Sequence, residues 1–149
     1  MLTNLVNMIK FVYEEEIHMF ITRECDYAMR VVRNLANQEM KPVKQICERE
    51  QIPHPFAYKI LKKLEHAGIV NSFRGTDGGY QLAKNRENIT LYEIVNAVDK
   101  DLFLNECLRD GYECMRYKDC NTCGVHRELV RIQGLIENAL CENTIDKLI

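Results

Sequence analysis

Apolar and polar residues follow two rhythms along this chain, and each change of rhythm marks the edge of an element. In "TRECDYAMRVVRNLA", residues 22–36, Tyr27, Val31 and Leu35 recur every fourth position, with Ala28 and Val32 beside them. That spacing lays one apolar stripe along a helix. Thr22 is a good N-cap for it, with Glu24 in the first turn. The polar "NQEMK" breaks the pattern. Pro42 then suits the first turn of a second short helix, Pro42–Glu50, with Val43, Ile46 and Cys47 on one face. "QIPHP" interrupts again. Pro55 opens a third helix through His66, with Phe56, Ile60, Leu61 and Leu64 directed inward, and Gly68 ends it.

Beyond Gly68 the period shortens. "IVNSF" and "YQLA" read as strands around the turn "RGTDGG". The glycines of "RGTDGGY" allow positive φ and let the backbone approach a surface closely, which singles out Gly78 and Gly79. "TLYEIVNAV", residues 90–98, is a further helix capped by Thr90. A stretch without pattern follows. From Val125 the helical rhythm returns through Leu129, Ile132, Ile136 and Leu140, close to the spacing of a coiled-coil seam.

Two short helices joined by a proline-marked turn, then a hairpin, form a winged helix-turn-helix. A small α+β domain that uses its helix pair only for packing is the plainer reading, but three features agreeing in order favour DNA binding. The expected fold is mainly α with a small β-hairpin wing and a long C-terminal dimerisation helix. Residues 1–18 are read as an N-terminal extension and 19–98 as the DNA-binding domain. A cysteine-rich loop then fills 99–124, with the dimerisation helix and tail at 125–149. A DNA reader usually engages two half-sites, so the expected partners are a second copy of the chain and a palindromic promoter operator in double-stranded DNA.

With 149 residues, 46% of them hydrophobic and 28% charged, the chain can bury a proper core. The net charge of −2 announces no polyanion partner, but its distribution does. Residues 54–86 carry six basic side chains against two acidic, while 99–149 carry seven against ten. No apolar run is long enough to span a membrane. The opening "MLTNLVNMIKFVYEEEIHM" lacks the basic start and small-residue cleavage site of a signal peptide. The expected location is therefore the cytoplasm, where disulfides are uncommon.

In that compartment seven cysteines ask for a metal or redox explanation. Cys107, Cys114, Cys120 and Cys123 fall in one stretch that His126 closes. Thiolates suit the soft iron of an iron–sulfur cluster, and a flexible loop can wrap several round one centre. Two other readings stay open. Cys114, Cys120, Cys123 and His126 could make a Cys3His zinc site, although the gap from Cys114 to Cys120 is long for one. Cys120 and Cys123 could instead be the two ends of a C-x-x-C thiol switch. Cys25, Cys47 and Cys141 lie in predicted helices and read as small apolar residues. No glycine loop for a nucleotide and no convincing acid–base pair accompany these thiols, so an enzyme is not expected.

The segment "PVKQICEREQIPHPFAYKILKKLEHAGIVNSFRGTDGGYQLA" resembles the winged-helix core of the Rrf-two family of bacterial transcription regulators. The "RGTDGGY" wing and the "ITLYEIVNAVD" after it are its most specific parts. The resemblance covers about residues 19–145 and makes Met19 look like the family's natural start. It implies a dimeric regulator, here read as a repressor, with a wing arginine at Arg74 placed to enter a minor groove. His54 and Tyr58 then stand where base edges are met, with Phe56 assigned to the core. Lys59, Lys62 and Lys63 neutralise phosphates. Thr22 and Arg23 hold the DNA backbone near the head of the first helix.

The cluster-binding branch of the family carries three loop cysteines before the long helix. Cys107, Cys114 and Cys120 match them with one extra residue in the first gap. One branch adds a histidine three residues later, where this chain has Cys123. Another adds an aspartate from the first helix of the second subunit, which corresponds to Asp26. His126 is the remaining candidate. The implied cofactor is a cluster of the 2Fe–2S or 4Fe–4S type, sensing iron, nitric oxide or redox state, with zinc or no cofactor as alternatives. A cysteine-metabolism branch implies a rival: a cluster-free regulator that responds to thiols or to a partner protein.

Overall fold

The computed structural model describes residues 21–100, 102–116 and 122–149. The N-terminal extension, Met19 and Cys120 lie outside the described residues. In chain order the elements are α1 (Arg23–Asn34), α2 (Val43–Glu50), α3 (His54–His66), β1 (Val70–Phe73), β2 (Gly79–Leu82), α4 (Leu91–Val98), α5 (Gly124–Glu142) and the short α6 (Ile145–Leu148). Single 3₁₀ turns occupy Arg86–Asn88 and Glu106–Leu108.

The core is what the apolar stripes dictate. Val31 and Val32 of α1, Leu35 at its C-cap, Ile46 of α2, Ile60, Leu61 and Leu64 of α3, and Ile94 and Val95 of α4 are all fully buried. Removing such groups from water is the main driving force of the fold. Polar groups fasten the helices where the core ends. The buried carboxylate of Glu50 accepts from Asn34 Nδ2 at 2.9 Å and from Arg33 at 2.6 Å, tying α2 to the end of α1. Thr22 caps α1 by accepting from the Cys25 amide at 3.4 Å. Thr90 and Glu93 form a complete capping box at the head of α4.

β1 and β2 pair antiparallel, from Val70 opposite Leu82 to Phe73 opposite Gly79. Lys41 extends this hairpin by exchanging both backbone hydrogen bonds with Tyr80 at 2.9 Å. The wing is thus rooted on Lys41, just before the N-cap Pro42 of α2.

α5 is fastened at two points. Buried Gln133 donates to the Leu102 carbonyl at 2.8 Å and accepts from the Leu104 amide at 3.1 Å. Beyond its end, the Ile145 amide donates to the Ile89 carbonyl at 2.8 Å, and the Ile145 side chain joins the core.

Several expectations move. Pro42 is the N-cap of α2 rather than its first turn, and α3 begins at His54 behind Pro53. Phe56 is not inward: it is 45% exposed and meets Tyr27 edge-on, with ring centroids 6.1 Å apart. Its ring contact is with half-buried Tyr27 rather than with the buried core. In the wing, Gly75 has the positive φ, at 117°, whereas Gly78 and Gly79 do not. Cys25 and Cys47 are buried as expected, but Cys141 is exposed on α5. Along α5 the one buried side chain is Gln133. Val125 is exposed, and Leu129, Ile132, Ile136 and Leu140 are only half-buried.

Candidate nucleic-acid interface and cysteine pocket

α3 presents a mixed aromatic and basic surface. His54, Phe56, Tyr58, Lys59 and Lys62 are all exposed on it. Their inward counterparts Ala57, Ile60, Leu61 and Leu64 anchor the helix and fix its rotation. Lys63 turns away from this surface, donating to Glu24 at 2.6 Å and to the Val98 carbonyl at 2.7 Å. Arg30 stacks over Tyr27, 5.9 Å from the ring centroid, which backs Phe56 with a second planar group.

A cleft of about 620 Å³ separates α3 from the wing. Tyr58 lines one side, Ser72 and Arg74 the other, and Lys44 the floor by the start of α2. Arg74 is exposed at the wing. A Cβ on Gly79 would drive into the Lys41 carbonyl group, reaching its carbon at 2.6 Å, and one on Gly78 would strike the Phe73 and Gly75 carbonyl oxygens. These glycines serve close approach within the chain itself and so set the wing's shape. Thr22 is half-buried as a cap, and Arg23 beside it is exposed.

Sequence reasoning missed Lys44 and misassigned Phe56. Lys44 follows Pro42 and Val43 at a helix start, where the structure leaves it exposed and lining the cleft, and its place beside the proline was the available signal. Phe56 gave none, because an aromatic four residues before Ile60 looks inward by periodicity.

The second site lies at the head of α5. Cys107, Cys114, Cys123 and His126 line one cavity of about 340 Å³, closed by Arg116, Val125 and Leu129. The backbone of α5 begins here: Cys123 is its N-cap, and its Sγ accepts from the His126 amide at 3.5 Å. His126 Nδ1 is buried without a hydrogen-bond partner. Among the described residues, no three His, Cys, Asp or Glu side chains already converge on a metal position. Cys120, the remaining thiol of the motif, lies outside the described residues. Asp26 sits elsewhere, on α1, where it pairs with Arg30 at 2.9 Å.

This donor set fits an iron–sulfur cluster in two respects. Cysteines lining one cavity would offer soft sulfur, binding iron as thiolates. The helix N-terminus behind Cys123 supplies backbone N–H groups and a partial positive charge to an anionic centre. The orphaned His126 Nδ1 adds a further donor atom on the same wall.

The Rrf2 model, described as an iron-dependent transcriptional regulator, matches residues 21–149. The chain belongs to the Rrf2 family. A helix-turn-helix regulator of Synechocystis is 41% identical over 87 residues, which span 56% of this chain and 59% of that protein. The regulator IscR of Escherichia coli is 32% identical over 124 residues, covering 80% of this chain and 76% of IscR. Among solved structures, CymR, the global cysteine regulator of B. subtilis, superposes with a TM-score of 0.66 at 23% identity, over 86% of this chain and 94% of CymR. Rrf2 chains are transcriptional regulators and not enzymes, and the winged-helix fold with a long C-terminal helix is theirs. Among the described residues no helix is long and apolar enough to cross a membrane.

Proposed function

We propose that this Rrf2 chain is a cytoplasmic, homodimeric repressor whose affinity for a palindromic operator is set by an iron–sulfur cluster in the cysteine pocket. The observation that carries the reading is that Cys107, Cys114, Cys123 and His126 line one cavity at the head of α5. Cys107, Cys114, Cys120 and Cys123 would hold the cluster, with Asp26 from a second subunit or His126 as alternatives for the fourth position. Bound there, a cluster supplies a centre that responds to iron supply, oxidants and nitric oxide.

The chain's own residues do the rest. α3 and Arg74 contact DNA. Lys44, Lys59 and Lys62 meet phosphates, and His54, Phe56 and Tyr58 meet base edges. The half-buried face of Leu129, Ile132, Ile136 and Leu140 pairs with its copy. Gln133 fastens α5 to residues 102–104, next to the pocket, and Ile145 fastens its far end to the root of α4. A change at the pocket therefore has a packed route to the wing.

The likeness to CymR supports one rival, a cluster-free regulator that responds to thiols or to a partner protein. An optical spectrum of protein purified without oxygen, beside a Cys107/Cys114/Cys120 triple alanine variant, separates the two. The cluster reading expects brown protein with sulfur-to-iron charge-transfer bands that the variant lacks. Colourless, iron-free protein after reconstitution would leave the rival standing.

A further inference from the structure

Arg23 and Glu24 stand side by side at the head of α1, but they behave differently. Arg23 is exposed, whereas Glu24 leans onto α3 and is only 24% exposed at its side chain. One carboxylate oxygen accepts from Lys63 Nζ at 2.6 Å and the other from Lys59 Nζ.

The two lysines are not equivalent. Lys63 also donates to the Val98 carbonyl, so it works as a packing cation between α1, α3 and α4. Lys59 has its side chain more than half exposed and projects from the same helix as Tyr58 and Lys62. Its ammonium therefore sits at the surface where phosphates are met, already engaged by an anion. Two ammonium groups on one carboxylate make Glu24 the shared anion of this triad.

We propose that Glu24 is an internal stand-in for a DNA phosphate, occupying Lys59 in the free chain and releasing it when duplex binds. The inference rests on α3 being the DNA-contacting helix. Each lysine–phosphate contact releases counterions and adds affinity that does not depend on sequence. A carboxylate that must first be displaced subtracts from that term alone. Glu24 therefore lowers affinity for every duplex alike and leaves base discrimination intact.

The test is the salt dependence of DNA binding by Glu24→Gln, read by fluorescence anisotropy. The probes are the duplex upstream of the protein's own gene and a random-sequence duplex. The expected result is several-fold tighter binding to both, with the slope of log affinity against log salt steeper by about 0.9. In a Lys59→Met background the same substitution changes nothing, because the two residues act as one unit. Glu24→Asp, which keeps the charge but shortens the reach, falls between and serves if the Gln variant unfolds. Weaker binding, or an unchanged slope in a folded variant, overturns the proposal and makes Glu24 a packing residue. Arg74→Ala separates the two levels. If the parent chain binds neither duplex, or Arg74→Ala costs nothing, the DNA-reading surface itself is wrong. If Arg74 matters and Glu24→Gln does not, only this inference falls.

Discussion

Gly79 lies back to back with Lys41, so close that a single added methyl would reach the Lys41 carbonyl carbon at 2.6 Å. The contact persists because Lys41 and Tyr80 exchange backbone hydrogen bonds one residue further along. Neither the carbonyl nor the strand can retreat without breaking that pair. Gly79→Ala is therefore expected to destabilise the fold by about 1–3 kcal/mol through overpacking. DNA binding should weaken in parallel, since Arg74 rides on the same hairpin. Urea unfolding and anisotropy on one preparation check both effects.

Glu50 gives the fold an acid-sensitive joint. Burial raises its carboxyl, but hydrogen bonds from Asn34 and Arg33, with the charges of Arg33 and Arg49, outweigh this and hold it below the ordinary value of 4.5. A carboxyl depressed in the folded state contributes stability that is fully present above its unfolded value and lost as pH falls through the folded value. Stability should thus be flat from neutral pH to about 5 and drop below 4.5. In Glu50→Gln thermal melts should show a shallower acid limb. At neutral pH that variant should be less stable by about 1–3 kcal/mol, because the charge-assisted partners of a buried group are weakened.

On the DNA-facing surface, two substitutions should separate reading from holding. Arg74→Ala is expected to cost about 1–3 kcal/mol on the target duplex and to relax discrimination in A·T-rich flanks. Lys62→Ala should weaken all duplexes alike and reduce the salt slope by about one. Titrations at several salt concentrations give both values.

The apolar face of α5 is half-exposed at Leu129, Ile132, Ile136 and Leu140 while a glutamine fills the buried position. A partner helix would cover such a stripe. Ile132→Asp should convert the proposed dimer to monomer in sedimentation velocity and weaken operator binding by at least an order of magnitude, since two half-sites are then read singly. The winged-helix core, closed by α1 to α4, should keep its far-ultraviolet spectrum.

Most elements could be read from the sequence, because each carries its own periodicity or its own cap. Val31, Leu35, Ile60 and Leu64 mark their helices, Thr90 and Glu93 mark a start, and the wing announces itself by its glycines. What the sequence hid has one physical origin: it concerns neighbours that are distant along the chain. Phe56 is exposed and meets only the edge of Tyr27 on α1, a placement that no local spacing encodes. Glu24 reaches across to Lys59 and Lys63, and Gly79 answers to Lys41. The cysteine spacing raised the expectation of a soft-metal or redox site. That Cys107, Cys114 and Cys123 share a cavity wall with His126 is a placement in space that spacing along the chain does not encode.

The central claim is that the state of the cysteine pocket sets DNA affinity. The most direct measurement compares cluster-loaded and cluster-stripped protein on the duplex upstream of its own gene, at one salt concentration and without oxygen. The account predicts dissociation constants that differ by about five- to one-hundred-and-fifty-fold, the usual range of coupling between two sites. It also predicts that the difference vanishes in the Cys107/Cys114/Cys120 triple alanine variant. Equal affinities for the two forms, with the wild-type cluster intact, would contradict it.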